Sequence, residues 1–305
     1  MLTSAQKRKL AETGKAYSML WPNFLLFCFF SLFPVVWTLR YMFCKYGGIG
    51  TEVTFVGLQN FMRLFRDKLY FHSVLNTFKY AFWKIIITIP LSFFVAYILA
   101  ARVRGNGLFQ SLIFLPTIMS SAVMGLVFFL LFNAYNGEVN HTLLNIGFIK
   151  TPVNWLGAEH AMQILILVAI WGAIGNYMVY FIAGIQQIPR DVLESAEIDG
   201  ATGARKLWFI VIPMMGPILK IILMLAFANA FNDINTVLVL TEGGPFNKTM
   251  VMTLYAYKFF FPVSSNDIVV PQFGYGAAVS FISACIAAIV TVLFLKGSKK
   301  VDDIY

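Results

Sequence analysis

Gln187–Pro213, QIPRDVLESAEIDGATGARKLWFIVIP, sets seven charged residues against an apolar run, 161–186, and leads into another, 209–240. A bilayer core of about 30 Å needs about 20 apolar residues in a helix, so both runs are long enough to cross one. Within the charged island, Pro189 suits the first helical position, and Asp191 and Glu194 fall in the early turns, where the helix dipole favours acid. Gly200 is placed to end the helix in a left-handed conformation. The spacing predicts a helix over Pro189–Asp199, roughly 16 Å long at about 1.5 Å per residue. Val192, Leu193 and Ala196 share one face, with small residues permitting close approach to a partner. From the residues alone, a loop helix resting on the bilayer and a helix docking on a partner are both open.

Outward from this island lie four more apolar runs, 18–43, 76–100, 108–133 and 272–295. The expected fold is therefore all-α and integral to the membrane, with about six transmembrane helices. The run 209–240 is too long for one straight span, and Pro213 and Pro217 mark its interfacial start. Composition agrees: of 305 residues, 59% are hydrophobic and only 12% charged, with 31 Phe suited to a lipid-facing surface. Soluble domains carry about twice that charged fraction, and the mean hydropathy of +0.75 points the same way. The first run follows Lys7, Arg8, Lys9 and Lys15, as a secretory signal does, but it is too long, holds Pro22 and Pro34, and ends in no small-residue cleavage site. It reads as a retained span.

The net charge of +9 fits basic loops near anionic lipid better than nucleic acid, because no run of like charges interleaved with aromatics occurs. With the N-terminus inside, segments 1–17, 101–107, 187–208 and 296–305 are inner and hold 12 of the 23 Lys and Arg, against seven in the outer loops. The organisation expected is a cytoplasmic N-terminus, 1–17, a membrane domain, 18–295, with a cytoplasmic loop, 187–213, and a cytoplasmic C-terminus, 296–305. Segment 57–71 mixes apolar and basic residues at helical spacing and is expected on the membrane surface. Cys28, Cys44 and Cys285 show no metal-ligand spacing, and His72, His141 and His160 are scattered, so no metal site is expected.

Polar residues inside spans are costly in lipid and usually face the bundle interior. The run 161–186 carries Trp171, Gly172, Gly175, Asn176, Tyr177 and Tyr180; the run 209–240 carries Lys220, Asn229, Asn232, Asp233 and Asn235. Amides, carboxylates and aromatic faces are what sugars bind to. Trp171, Gly172, Asn176, Tyr177, Tyr180, Asn229 and Asp233 are the candidate solute path, although such Asn residues also join helices by hydrogen bonds.

Glu194-Ser195-Ala196, then Gly200, then Ile210 and Pro213, resembles the Glu-Ala-Ala loop of binding-protein-dependent ABC importer permeases. Asp199-Gly200-Ala201 matches its Asp-Gly-Ala core, while Ser195 stands where the pattern has Ala, and Ile212 where it has Leu. Phe55-Val56-Gly57-Leu58-Gln59-Asn60-Phe61, Asn76-Thr77, Leu115-Pro116 and Thr241-Glu242-Gly243-Gly244-Pro245 look like further segments of the carbohydrate-type, maltose-permease-F-like group. The resemblance implies a type I ABC importer transmembrane domain in a prokaryotic plasma (inner) membrane. It implies a second homologous permease, two ATPase subunits and an extracellular solute-binding protein as partners. Glu194, Ser195, Ala196, Asp199, Gly200 and Ala201 would then be the ATPase-coupling residues. No cofactor is expected in this chain: ATP and Mg would be bound by the partner subunits, because no Gly-x-x-x-x-Gly-Lys-Ser/Thr loop is present. The resemblance implies a sugar or oligosaccharide as solute, with a glycerol-phosphate-like or anionic saccharide as the alternative. A membrane enzyme would need acids or His clustered at one membrane face, and the one acid cluster, Asp191, Glu194, Glu197 and Asp199, is explained by the Glu-Ala-Ala pattern; a secondary transporter would need inverted repeats, and none is found.

Overall fold

Apolar stretches can cross a bilayer only as elements that satisfy their own backbone hydrogen bonds, and helices make up almost all the regular structure of this chain. The computed structural model describes residues 4–100, 105–261 and 271–298. Among these, four helices are long and apolar enough to cross a membrane: Thr13–Tyr41 (span one), Lys68–Ala100 (span two), Ala161–Gln186 (span four) and Phe273–Gly297 (span six). Two bent pairs bring the number to six: Asn106–Ile118 with Ser121–Leu131 (span three, bent 94°), and Gly203–Met214 with Gly216–Phe231 (span five, bent 72°). Arg102, Arg104, Lys299 and Lys300, four of the basic residues used above to orient the chain, lie outside the described residues, as do the side chains of Lys7, Arg8 and Lys9.

The bend in span three corrects the expectation of one continuous helix over 108–133, whereas the run 209–240, too long for one straight span, was expected to break. Span three breaks where Met119 and Ser120 turn to extended backbone. The Ser120 hydroxyl then accepts the Val123 N–H at 3.3 Å, capping the second half. The run 209–240 becomes three helices: Gly216 and Pro217 restart it after Met215, and Asn232–Ile234 separates Phe231 from a last helix, Asn235–Leu240. Spans one and five each carry a π-turn just before a proline: Cys28–Leu32 ahead of Pro34, and Leu207–Val211 ahead of Pro213. Proline has no N–H and crowds the carbonyl four residues back. The widened turns, in which Phe33 N–H reaches Cys28 O and Ile212 N–H reaches Leu207 O, keep both helices continuous.

Segment 57–71 is also shorter as a helix than expected. It ends at Arg66, and the next residues already belong to span two, which starts at Lys68 rather than near residue 76. The cause is Asp67. Its Oδ1 accepts the Leu69 and Tyr70 N–H groups at 3.0 and 3.3 Å, and its Oδ2 accepts the Tyr255 and Tyr275 hydroxyls at 2.5 and 2.7 Å. One carboxylate thus ties the start of span two to the short helix Met252–Tyr257 and to span six. Burial works against the Asp67 charge, but the two hydroxyls and two amides outweigh it and hold the carboxyl below its ordinary value of 3.8.

The face opposite loop 187–213 is pinned by asparagines. Asn60 donates to the carbonyls of Met42 and Cys44 at 2.9 and 3.0 Å, beside a two-residue antiparallel pairing of Cys44 with Phe55 and Lys45 with Thr54. Asn76 donates to the carbonyls of Asn247 and Met250 at 3.1 and 3.0 Å, and the Thr77 hydroxyl accepts the Met252 N–H at 2.9 Å. Asn140 binds the Trp155 indole and the backbone of Ala134 and Val153.

Between the faces, spans two, three, four and five form the packed centre, while span one is exposed along its apolar window, with Phe24, Phe30 and Trp37 bare. Two apolar clusters fill that centre. One, toward the far face, includes Tyr80, Leu165, Phe231 and Leu254. The other, toward loop 187–213, includes Ile89, Phe181, Leu207 and Met215. Span four meets span three at Gly175, where an added Cβ would lie 2.7 Å from Ile113 O and 2.8 Å from Phe114 Cα. Small residues allow such backbone approach in membranes, and the Thr117 hydroxyl donates to Gly172 O across it at 3.0 Å.

Gly175→Ala is expected to destabilise the purified protein by about 1–3 kcal/mol through overpacking. Gly107→Ala, where the added methyl meets open space, is expected to cost nothing; thermal unfolding of both variants in detergent checks the difference. Because the Asp67 carboxyl titrates lower in the folded chain, its contribution is complete above the unfolded value and is lost as pH falls through the folded one. Asp67→Asn is therefore expected to lower thermal stability at pH 7 and to lose less stability than the parent on acidification to pH 3; parallel acid-induced losses would refute that role.

Candidate functional site

The charged island folds as a nine-residue helix, Arg190–Ile198, with Pro189 as its N-cap and Asp199 as its C-cap. Gly200 follows with φ of +81°, the left-handed conformation expected of it. Ala201 N–H returns to Ala196 O at 2.8 Å and Gly200 N–H to Glu197 O at 3.0 Å, the paired bonds of a Schellman ending. Lys206 and Glu197 pair at 2.6 Å across the turn into span five. Glu194, Ser195, Asp199 and Gly200 are exposed, Ala201 is half-buried and Ala196 is buried. The face expected to meet a partner is divided: Leu193 packs on the chain's own core, whereas Val192 is exposed. The most exposed apolar side chain on the helix is Ile198, 87% accessible, which the periodicity argument had not singled out.

A second polar assembly lies at the midpoint of span two, beside the end of span five. Lys84 is the midpoint of the 33-residue helix Lys68–Ala100. Its ammonium meets Asp233 Oδ2 at 2.5 Å, with the two side chains 11% and 13% exposed. The Tyr80 hydroxyl, one turn away, donates to the same oxygen at 2.5 Å and accepts from Lys84 at 3.2 Å. Asp233 Oδ1 takes the Thr236 N–H at 3.3 Å, so the carboxylate also caps Asn235–Leu240. Asp233 sits just beyond the C-terminal end of Gly216–Phe231, where the helix dipole disfavours an anion; Lys84 offsets that penalty. Asn229, exposed, donates to the buried Tyr177 hydroxyl at 3.4 Å. This layer falls between the two apolar clusters, since Tyr80 and Phe231 belong to one, and Tyr177 and Ala226 to the other.

Of the candidate path residues, the structure brings Tyr177, Asn229 and Asp233 into this layer. Trp171 is exposed and meets Phe128 edge-on, with ring centroids 5.2 Å apart. Gly172 packs against Met124 and accepts from Thr117, so its place is a helix contact. Asn176 is half-buried and Tyr180 exposed on span four. Sequence reading missed Tyr80 and Lys84. With span two drawn from residue 76, Lys84 falls near its outer end; the helix begins at Lys68, which moves it to the middle. The available signal was a lysine deep in an apolar run, which by itself asks for a partner acid.

A family described as "binding-protein-dependent transport system inner membrane component" matches residues 88–297. The chain is 30% identical over 281 residues to the arabinooligosaccharides transport system permease protein AraP of Bacillus subtilis (strain 168), covering 91% of this chain and 86% of that one. It is 31% identical over 280 residues to the lactose transport system permease protein LacF of Rhizobium radiobacter, covering 89% and 90%. Its fold superimposes on a chain of a bacterial ABC transporter involved in the import of the acidic polysaccharide alginate, with a TM-score of 0.81 at 19% identity over 96% of this chain and 98% of that one. The chain, a multi-pass membrane protein with this fold, belongs to the family of binding-protein-dependent transport system inner membrane components, the membrane-spanning permease subunits of ABC importers.

Proposed function

We propose that this permease carries a sugar or oligosaccharide across a prokaryotic plasma membrane, driven by ATP hydrolysis on two separate ATPase subunits, one of which takes Pro189–Gly200 in a groove. A second homologous permease completes the pore, and an extracellular solute-binding protein delivers the solute to the face opposite loop 187–213. That loop, and with it both chain termini, then lies in the cytoplasm. ATP and Mg stay with the ATPase subunits.

The observation that carries the coupling assignment is the build of the loop. Arg190–Ile198 offers Glu194, Ser195 and Ile198 outward while Leu193 and Ala196 seat it on the bundle. It is joined to span four by three residues, of which Ile188 is buried, and to span five by the Schellman turn and the Lys206–Glu197 pair. A load on this helix passes to both spans rather than being absorbed by a slack linker. Support for a sugar as solute comes from the named solutes of the relatives and from the hydroxyls, amides and aromatic rings of the central layer. An acidic polysaccharide, the solute of the alginate transporter, is the second reading; it is disfavoured because the cation in the layer, Lys84, is already neutralised by Asp233.

In proteoliposomes holding the complete transporter, Glu194→Ala or Gly200→Val is expected to lower ATP-driven uptake while the chain still inserts. A β-branched residue at the left-handed position 200 costs about 1–2 kcal/mol, enough for about a tenfold loss of the docked state. Uptake equal to the parent's in both variants would sink the coupling assignment. Purified alone, the chain is expected to hydrolyse no ATP; turnover that persists after all partner subunits are removed, as judged by mass spectrometry, would overturn the division of labour.

A further inference from the structure

The Lys84–Asp233 pair is an unusual thing to keep at the centre of a membrane bundle. A buried pair rarely adds net stability over apolar residues of similar volume, because desolvation offsets its attraction. Here it also interrupts what would otherwise be one continuous apolar core, separating the two clusters. Elsewhere in the bundle, joining is done without charge: Ser92 and Thr117 bond span four's backbone from spans two and three, at 3.1 and 3.0 Å. What the pair supplies is a particular charge balance in the layer that holds Asn229 and Tyr177.

Resting on the reading of this layer as the solute path, we infer that the Lys84–Asp233 pair sets the charge class of the solute: by cancelling both charges, it keeps the path selective for uncharged saccharides, with Tyr80 and Lys84 as positioning residues. The geometry accounts for this in three steps. Asp233 Oδ2 is shared by the Lys84 ammonium and the Tyr80 hydroxyl, at 2.5 Å each, so its accepting capacity on that side is spent on the protein. Oδ1 is turned to the Thr236 N–H. The group of this layer left to meet a solute is the Asn229 amide, which is exposed and uncharged. Lys220 lies nine residues before Asn229 on the same helix, about 14 Å toward the loop face at about 1.5 Å per residue. A net charge in this low-dielectric layer would act strongly on a charged solute at close range, so losing either partner changes what the layer accepts.

The test is saturation-transfer NMR on the assembled permease–ATPase complex in nanodiscs, with the solute-binding protein left out so that its selectivity does not intervene. Three disaccharide probes are used: lactose (neutral), digalacturonate (anionic) and chitobiosamine, the di-glucosamine (cationic). The parent is expected to give transfer to lactose above either charged probe. Asp233→Asn, which leaves Lys84 unpaired, is expected to raise the digalacturonate-to-lactose ratio by about tenfold or more, and Lys84→Met to raise the chitobiosamine-to-lactose ratio by a similar factor. Lys84→Met with Asp233→Asn is expected to restore the parent's preference. Asn229→Lys and Asn229→Asp change the net charge at an exposed position without breaking the pair, and are expected to shift the ratios in the same two directions; they decide the matter if the single buried variants do not assemble. Assembled variants whose ratios stay at the parent's value, or that lose all probes alike, would show the pair to be purely structural and overturn the inference. Absence of transfer to every probe in the parent would remove the layer from the solute path altogether, leaving family membership and the coupling loop untouched.

Discussion

A charge in the middle of a bilayer-spanning bundle has to be met by another, and the arrangement of spans two and five follows from how Lys84 is met. Asp233 reaches it from the break where Gly216–Phe231 ends, with Asn232–Ile234 unwound and Asn235–Leu240 starting afresh. The break that divides the run 209–240 is therefore the site of that ion pair. Phe231 and Val237 on either side pack into the far-face cluster, while Tyr177 and Ala226 close the other cluster beneath it. The polar layer, the interruption of the helix and the division of the core are one feature seen three ways.

Around this centre the chain solves a general problem of membrane helices, which is how to turn without leaving backbone groups bare. Proline is accommodated twice by a π-turn that redirects one hydrogen bond, and the sharp bend in span three is closed by the Ser120 hydroxyl. Side-chain amides serve the same end in the connecting segments, as Asn60, Asn76 and Asn140 do. Gly175 and Gly172 let spans three and four approach closely enough for Thr117 to bond across.

The six apolar runs were legible because twenty or so apolar residues in a row have few other uses, and the island at 187–213 was legible because charges interrupt them. Its helix was readable to within a residue or two, since Pro189 and Gly200 act through backbone conformation that needs no tertiary partner. Span boundaries were less so: Asp67 starts span two eight residues before the apolar run suggests, by a cap and two tyrosine hydroxyls that come from residues nearly two hundred positions away or more. Lys84 was misplaced for that reason. Helix Arg190–Ile198 shows a similar gap: Val192 and Leu193 were grouped on one face, yet Leu193 packs on the core and Val192 is exposed, because periodicity shows which residues share a side but not which side meets the chain's own core.

What the sequence by itself determined is the class: a six-span membrane protein with a short capped helix between spans four and five, and through the pattern from Glu194 to Pro213 a resemblance to the permease family that holds across the chain. These depend on local conformation and on hydrophobicity summed along contiguous residues. Only the tertiary structure decided that Lys84 belongs with Asp233, that Tyr80 and Tyr177 flank them, and that Gly172 is a packing contact. Those are pairings between residues about 50 to about 150 positions apart, fixed by where helix breaks fall and by which groups must find partners in a medium without water. Periodicity carries no record of them until the chain is folded.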